Sequence, residues 1–109
     1  MIRSPYRIMW LLVMFDLPTL KPEERKEYSR FHKFLIQDGF SMMQYSVYMR
    51  YCASPENAEA HMARIKGHLP PEGEVRVLEL TSKQFERMRI YYGKLRKEPE
   101  KEVPQLAFF

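Results

Sequence analysis

The stretch Ile8-Met9-Trp10-Leu11-Leu12-Val13-Met14-Phe15-Asp16-Leu17-Pro18 decides how the chain is read. Its eight consecutive apolar residues, Ile8 to Phe15, are too few to cross a membrane and show no three-to-four spacing, so they predict a strand buried on both faces. Pro18 cannot donate to a sheet ladder and ends that strand. Asp16 is left at a strand-to-loop corner, where side chains commonly meet ligands. A carboxylate beside so much apolar surface loses hydration unless something hydrogen-bonds to it, pairs with it or is coordinated by it. Two readings of Asp16 stand at this point. It is a ligand-binding carboxylate, or it caps the loop's own amides, as Asp often does in turns.

With 109 residues the chain is long enough for one core and too short for two. Hydrophobic residues at 45% against 29% charged describe a globular protein and exclude a disordered tail. Met1 to Arg7 runs almost directly into the strand with no leader pattern, and the single Cys52 excludes an internal disulfide, so a cytoplasmic location is expected. His32, His61 and His68 show no metal-ligand spacing with Cys52 or with one another. A net charge of +4 and a pI near 9.3 are compatible with a polyanionic partner without demanding one. Asp occurs only at positions 16 and 38, and Asp38, just before Gly39, reads as a helix terminus or turn.

Thr19 to Asp38 predicts the first helix: Pro22, Glu23 and Glu24 suit its start, Tyr28, Phe31 and Leu35 recur at helical spacing, and Gly39 stops it. Lys26, Arg30 and Lys33 share another face that would meet phosphates, although Glu23 and Glu27 nearby favour a salt-bridged solvent face. Phe40 to Cys52 is too long for one strand and divides near Gln44 into two, with Tyr45, Val47, Met49 and Tyr51 on one face and Ser46, Tyr48, Arg50 and Cys52 on the other. Ser54 as N-cap and Pro55 open a second helix whose buried stripe is Ala58, Met62, Ile65 and Leu69 and which ends at Pro70-Pro71. Glu74 to Thr81 is the next strand, its alternation slipping between Val77 and Leu78 as at a bulge or in a strand buried on both faces. Ser82 to Glu86 makes a helical turn and Arg87 to Gly93 a short extra strand. A charged connector and an apolar tail, Gln105 to Phe109, follow, so residues 1–93 form the domain and 94–109 an appendage.

This order is the split βαβ arrangement of an α+β, ferredoxin-like fold, an antiparallel sheet with both helices on one face. The other face, aromatic and Met-rich, exposes more apolar surface than a monomer usually tolerates, so a sheet-to-sheet homodimer is expected. The tail residues Leu106, Phe108 and Phe109 are expected to dock by strand addition on the dimer partner or on another protein.

An apolar strand ending in Phe15-Asp16, a helix closing on Gly39, and Gln44-Tyr45-Ser46-Val47-Tyr48 together resemble the small endonuclease subunit of CRISPR spacer acquisition, CRISPR-associated protein two. The resemblance runs over about residues 8–93. It implies a homodimer in which Asp16 of each protomer meets its symmetry mate to hold magnesium or manganese, and a metal-dependent nuclease acting on RNA or DNA. It also implies bridging of two dimers of the integrase subunit, CRISPR-associated protein one, around the duplex DNA that becomes a spacer. Asp16 carries over as metal ligand and catalytic residue. Tyr48 stands where the family often has an aromatic, and Arg30 matches a helix cation; with Lys26, Lys33, Arg87 and Arg89 they are the expected nucleic-acid contacts. Met42 departs from the pattern, since some relatives have an arginine just before the Gln-Tyr pair.

Magnesium takes one or two protein carboxylates and fills its shell with water and phosphate oxygens, so one Asp from each of two chains suffices. A stand-alone metal-dependent nuclease is the second reading. A non-catalytic RNA-binding module of the same topology, holding single-stranded RNA on its strand aromatics, is the third, although the glycines of the RNP1 pattern are missing.

Overall fold

The computed structural model describes residues 8–94. Its elements are β1 (Met9–Asp16), α1 (Pro22–Gln37), β2 (Ser41–Gln44), β3 (Val47–Cys52), α2 (Pro55–Lys66), β4 (Glu74–Thr81) and α3 (Ser82–Glu86). The strands form one antiparallel sheet in the order β2-β3-β1-β4, a small α+β fold consistent with the ferredoxin-like arrangement. Among the described residues no helix is long and apolar enough to cross a membrane.

β1 lies between β3 and β4, so its backbone groups pair on both sides and its side chains alternate between two environments. Met9, Leu11, Val13 and Phe15 point to the helices and are buried with Phe31, Leu35, Tyr48, Cys52, Ala58 and Ile65. Phe15 meets Phe31 edge-on at 5.3 Å and stacks on Tyr48 at 5.6 Å between centroids, tying α1 to both central strands. Trp10, Leu12, Met14 and Asp16 take the far face.

The register lays this far face out in rows: Tyr51-Trp10-Leu80, then Met49-Leu12-Leu78, then Val47-Met14-Arg76, with Asp16 beside Glu74 at the lower end. α3 covers only the upper row, where Phe85 stacks on Trp10 at 4.2 Å. Leu78 remains 46% and Tyr51 45% exposed, so among the described residues part of this apolar face has no cover.

The helix starts follow from local capping. Glu24 accepts the amides of Leu20 and Lys21 at 2.9 Å each, which sets the start of α1 at Pro22 and leaves Thr19 in the loop. Ser54 accepts the Asn57 amide at 3.1 Å, as its sequence position predicts. Thr81 and Gln84 form a reciprocal capping box that begins α3.

Several expectations are corrected. α2 ends at Lys66, capped by Gly67, rather than at Pro70-Pro71, so Leu69 is exposed and His61 takes the buried place the stripe assigned to it. β4 pairs with β1 without interruption, and the Val77–Leu78 slip arises because both residues are partly exposed, not from a bulge or from burial on both faces. The bulge lies instead in β2, between Met42 and Gln44. Tyr45 leaves the ladder and forms the β2–β3 turn with Ser46. Residues 87–93 form no strand and pair with none among the described residues. The connector from residue 95 and the tail residues Leu106, Phe108 and Phe109 lie outside the described residues.

Asp38 does more than end α1. Its carboxylate accepts from His61 Nδ1 at 2.7 Å and from Arg64 Nε at 2.8 Å, while its carbonyl accepts from Arg50 Nε at 2.8 Å. One residue thus joins the end of α1 to α2 and to β3, and Gly39, at φ +92°, turns the chain immediately after it. Because His61 is buried, removing its partner leaves a ring N–H without hydration. Asp38→Ala is expected to lower folding stability by about 1–3 kcal/mol in urea unfolding; an unchanged midpoint would show that His61 is satisfied otherwise.

Candidate active site

Asp16 ends β1 at the open lower end of the sheet and is exposed. Among the described residues its carboxylate accepts no hydrogen bond and joins no ion pair, so it does not cap its own loop. The loop is braced by Arg25 instead, which donates to the carbonyls of Thr19 and Leu20 at 3.2 and 2.7 Å. That leaves Asp16 free to act as a ligand, the first of the two sequence readings.

Three neighbours set its position. Gly73 sits at φ +95°, and a Cβ there would lie 2.7 Å from the Asp16 carbonyl oxygen and 2.7 Å from Leu17 Cδ2. Only glycine allows β4 to approach the end of β1 this closely. Glu74 stands opposite Asp16 on the same face, but its carboxylate is paired with Arg76 at 3.2 Å, an exposed pair that places a cation beside the two acids. On the other side the Ser46 carbonyl accepts the Phe15 amide at 3.1 Å. Ser46 is the only described non-glycine residue with positive φ, +64°, and its hydroxyl lies 3.3 Å from that of Tyr28. Gly73 and Glu74 were not singled out as site residues from the sequence, and Ser46 entered only as part of the family motif. Gly73 within Pro70-Pro71-Glu72-Gly73 reads as an ordinary turn, and only the strand register shows what it touches.

The expected nucleic-acid contacts separate into groups. Lys26 lines an open cleft of about 510 Å³ with Lys21 and Tyr28, but Glu23, Glu24, Glu27 and Glu72 line it too, so it is not a basic groove. Arg30 is held by Glu27 at 2.9 Å and by the His68 carbonyl at 3.1 Å, tying α1 to the segment after α2. Lys33, Arg87 and Arg89 are exposed, and nothing brings them to Asp16. Tyr48 is 1% exposed, its hydroxyl 2.5 Å from His32 Nδ1, and burial pushes its phenol up to about 12. Tyr48 is therefore a core residue closed to an external ligand, which corrects its assignment as a nucleic-acid contact. Its place after Ser46-Val47 puts it on the inner face of β3 opposite Val13.

Among the described residues no three His, Cys, Asp or Glu side chains cluster as a metal site. All three histidines are engaged away from Asp16: His32 with Tyr48, His61 with Asp38, and His68 stacked on Phe34 at 4.0 Å. One chain thus offers a cation Asp16, with a neutralised Glu74 beside it.

The family model described as CRISPR associated protein Cas2 matches residues 9–88. The chain belongs to the Cas2 family. A protein named CRISPR-associated endoribonuclease Cas2 from Parvibaculum lavamentivorans is 52% identical to it over 101 residues, covering 93% of this chain and 100% of the relative. A Cas2 relative of the same name from Flavobacterium psychrophilum is 51% identical over 106 residues, 97% of this chain and 92% of its own length. A solved crystal structure of cas2 superposes with a TM-score of 0.55 at 19% identity, covering 85% of this chain and 98% of that one, a likeness of fold. The family resemblance carried by Phe15-Asp16 and Gln44-Tyr45-Ser46-Val47-Tyr48 is confirmed.

Because the Asp16 backbone is packed against Gly73, Gly73→Ala forces the two strands apart at the Cas2 site as well as straining a positive φ. This variant is expected to lose about 1–3 kcal/mol of stability and to lose endonuclease activity even at temperatures where circular dichroism shows it folded.

Proposed function

We propose that this chain is a metal-dependent endoribonuclease of the Cas2 family that works as a homodimer, with Asp16 of each protomer holding one magnesium or manganese ion against the scissile phosphodiester. The observation that carries this reading is the unpaired, exposed carboxylate of Asp16 at the lower end of an uncovered apolar sheet face. Packing two such faces together would bury Leu78, Met49 and Tyr51, and a twofold axis passing near the lower end of the face would bring the two Asp16 side chains together. Two carboxylates about 4 Å apart repel by about 4 kcal/mol at an effective dielectric of 20, and a shared cation offsets that.

When bound, such an ion polarises the phosphoryl group and lowers the pKa of water. The chain's own part is placement. Asp16 supplies the carboxylate oxygens, Gly73 and the Ser46 carbonyl fix the strand end that carries it, and Arg76 keeps Glu74 from adding uncompensated negative charge where a phosphate must enter. With every histidine engaged elsewhere, no imidazole serves as general base at Asp16, and turnover is slow.

Family membership supports a wider role: a subunit of CRISPR adaptation that bridges integrase dimers and holds duplex DNA through phosphate contacts. The exposed cations Lys26, Lys33, Arg87 and Arg89 are the candidates for those contacts, and a cytoplasmic location, where such nucleic acids are met, belongs to the same reading.

Asp16→Ala is expected to abolish magnesium-stimulated cleavage of a single-stranded oligoribonucleotide while leaving the dimer intact in analytical ultracentrifugation. Full cleavage by the purified variant would remove Asp16 from the mechanism. Leu78→Glu places a charge in the middle row of the apolar face and is expected to give a folded monomer that has lost cleavage too. A Leu78→Glu dimer of normal affinity would mean that another surface joins the protomers.

A further inference from the structure

The sheet face that carries Asp16 is apolar along its rows until the lower end, where charged side chains gather. The register sets Glu74 opposite Asp16 and Arg76 opposite Met14, and all four share one face because strand side chains alternate. Arg76 is thus the diagonal neighbour of Asp16 across the β1–β4 pair, a spacing of about 7–8 Å that long side chains span. Its guanidinium is anchored at one corner. A terminal nitrogen donates to Glu74 Oε2 at 3.2 Å, the one bond of Arg76 among the described residues, and the side chains stay 71% and 63% exposed. Since a guanidinium carries five N–H donors in a planar fork, a free edge remains.

An exposed pair of this kind contributes little to stability, because water screens it and two long side chains must be held still. A guanidinium fixed at one corner is instead suited to a phosphate, whose oxygens match two parallel N–H donors. The rim needs such a group. Asp16 and Glu74 place two carboxylates side by side, and a phosphate that approaches them without a cation is repelled. We propose that Arg76 binds the phosphate of the nucleic-acid strand next to Asp16, with Glu74 holding the guanidinium so that its free edge meets that phosphate. The proposal rests on the reading of Asp16 as the cleavage site only for which phosphate is held. The contact itself requires no metal.

Other cations near this end of the sheet are occupied or differently placed. Arg25 donates to the Thr19 and Leu20 carbonyls, Arg30 is held by Glu27 and the His68 carbonyl, and Lys26 lines a cleft beside α1 among four glutamates. Two roles for Arg76 can then be told apart. If it only cancels the charge of Glu74, it becomes dispensable once residue 74 is neutral. If it holds a phosphate, its removal still weakens binding.

The test compares Arg76→Gln, Glu74→Gln and the double variant, with Lys83→Gln in α3, an equal change of charge at the opposite end of the sheet, as control. Binding of a fluorescein-labelled oligoribonucleotide is measured in EDTA over a salt series, and kcat and KM are measured in magnesium. Arg76→Gln is expected to weaken binding and raise KM about tenfold, and to flatten the logarithmic salt slope by up to about 0.7. In the Glu74→Gln background the same change is expected to cost at least about fivefold. Lys83→Gln is expected to stay within about twofold of the parent, since salt screens a distant charge. A double variant that binds as well as Glu74→Gln would reduce Arg76 to a neutralising charge and overturn the proposal. So would equal losses for Arg76→Gln and Lys83→Gln, or loss of the dimer by Arg76→Gln in sedimentation, which would place the side chain in the subunit contact. If Asp16→Ala instead retains cleavage, the cleavage assignment falls while the affinities in EDTA still decide whether Arg76 holds a phosphate.

Discussion

The double pairing of β1 is the constraint from which the rest follows. A strand bonded to β3 on one side and β4 on the other has no backbone group left for water, so its eight residues tolerate no break until the ladder ends at Asp16. Its side chains then have no choice of environment. Met9, Leu11, Val13 and Phe15 are committed to the helices, and Trp10, Leu12, Met14 and Asp16 to a face that one short helix only partly shields. The position of Asp16 on the uncovered face, rather than under α1, is a matter of parity. Shifting the register by one residue would bury the carboxylate against Phe31.

The same constraint concentrates backbone strain at the lower rim. Two flanking chains must turn close to the place where β1 leaves the sheet, and they do so with two positive-φ residues, Gly73 on one side and Ser46 on the other. Gly73 meets the demand at little steric cost, and its missing side chain lets the backbone of Asp16 come within contact distance. Ser46 meets it at a cost and is held by a main-chain bond and by the Tyr28 hydroxyl. A strained turn on one side and a close glycine contact on the other, flanking a carboxylate with no donor among the described residues, indicate a rim built for its geometry more than for stability.

How much of this was legible in the sequence depends on how local each cause is. The apolar run to Asp16, the division near Gln44, the Ser54 cap and the Ser82–Glu86 turn are written in neighbouring residues, and the structure has them where the pattern put them. The family was legible for the same reason, because its motif spans consecutive positions. What escaped depends on partners distant in the chain. His61 was left out of the buried stripe because its partner Asp38 caps the other helix. The expected salt-bridged character of the Lys26, Arg30 and Lys33 face holds for Arg30, which pairs with Glu27; only its second bond, to a carbonyl from residue 68, is not visible in a helical wheel. Tyr48 shows the opposite error: alternation correctly set it opposite Val47, but which side faced the helices was fixed only by pairing with Val13.

The two aspartates show how environment divides one chemistry into two roles. Leu11, across from Arg50 and so near Asp38, is five residues from Asp16 along β1, about 17 Å at the rise of an extended strand. At the upper end Asp38 is mostly shielded from solvent and receives bonds from His61 and Arg64, so its charge is satisfied within the chain and serves the packing of α1 on α2 and β3. At the lower end Asp16 has lost the apolar cover of the strand without gaining a donor among the described residues. An unpaired carboxylate at a rim contributes little to holding a fold together. Had stability been the only requirement, a neutral residue would serve at position 16. In the proposed function the charge would be accounted for by a cation and a phosphate brought to that rim, and the described residues of one chain supply too few ligands to hold the cation alone. On the proposed dimeric reading, the apolar face that leaves the protomer incomplete as a folded unit leaves its site incomplete as well, and one packing event between two copies would resolve both.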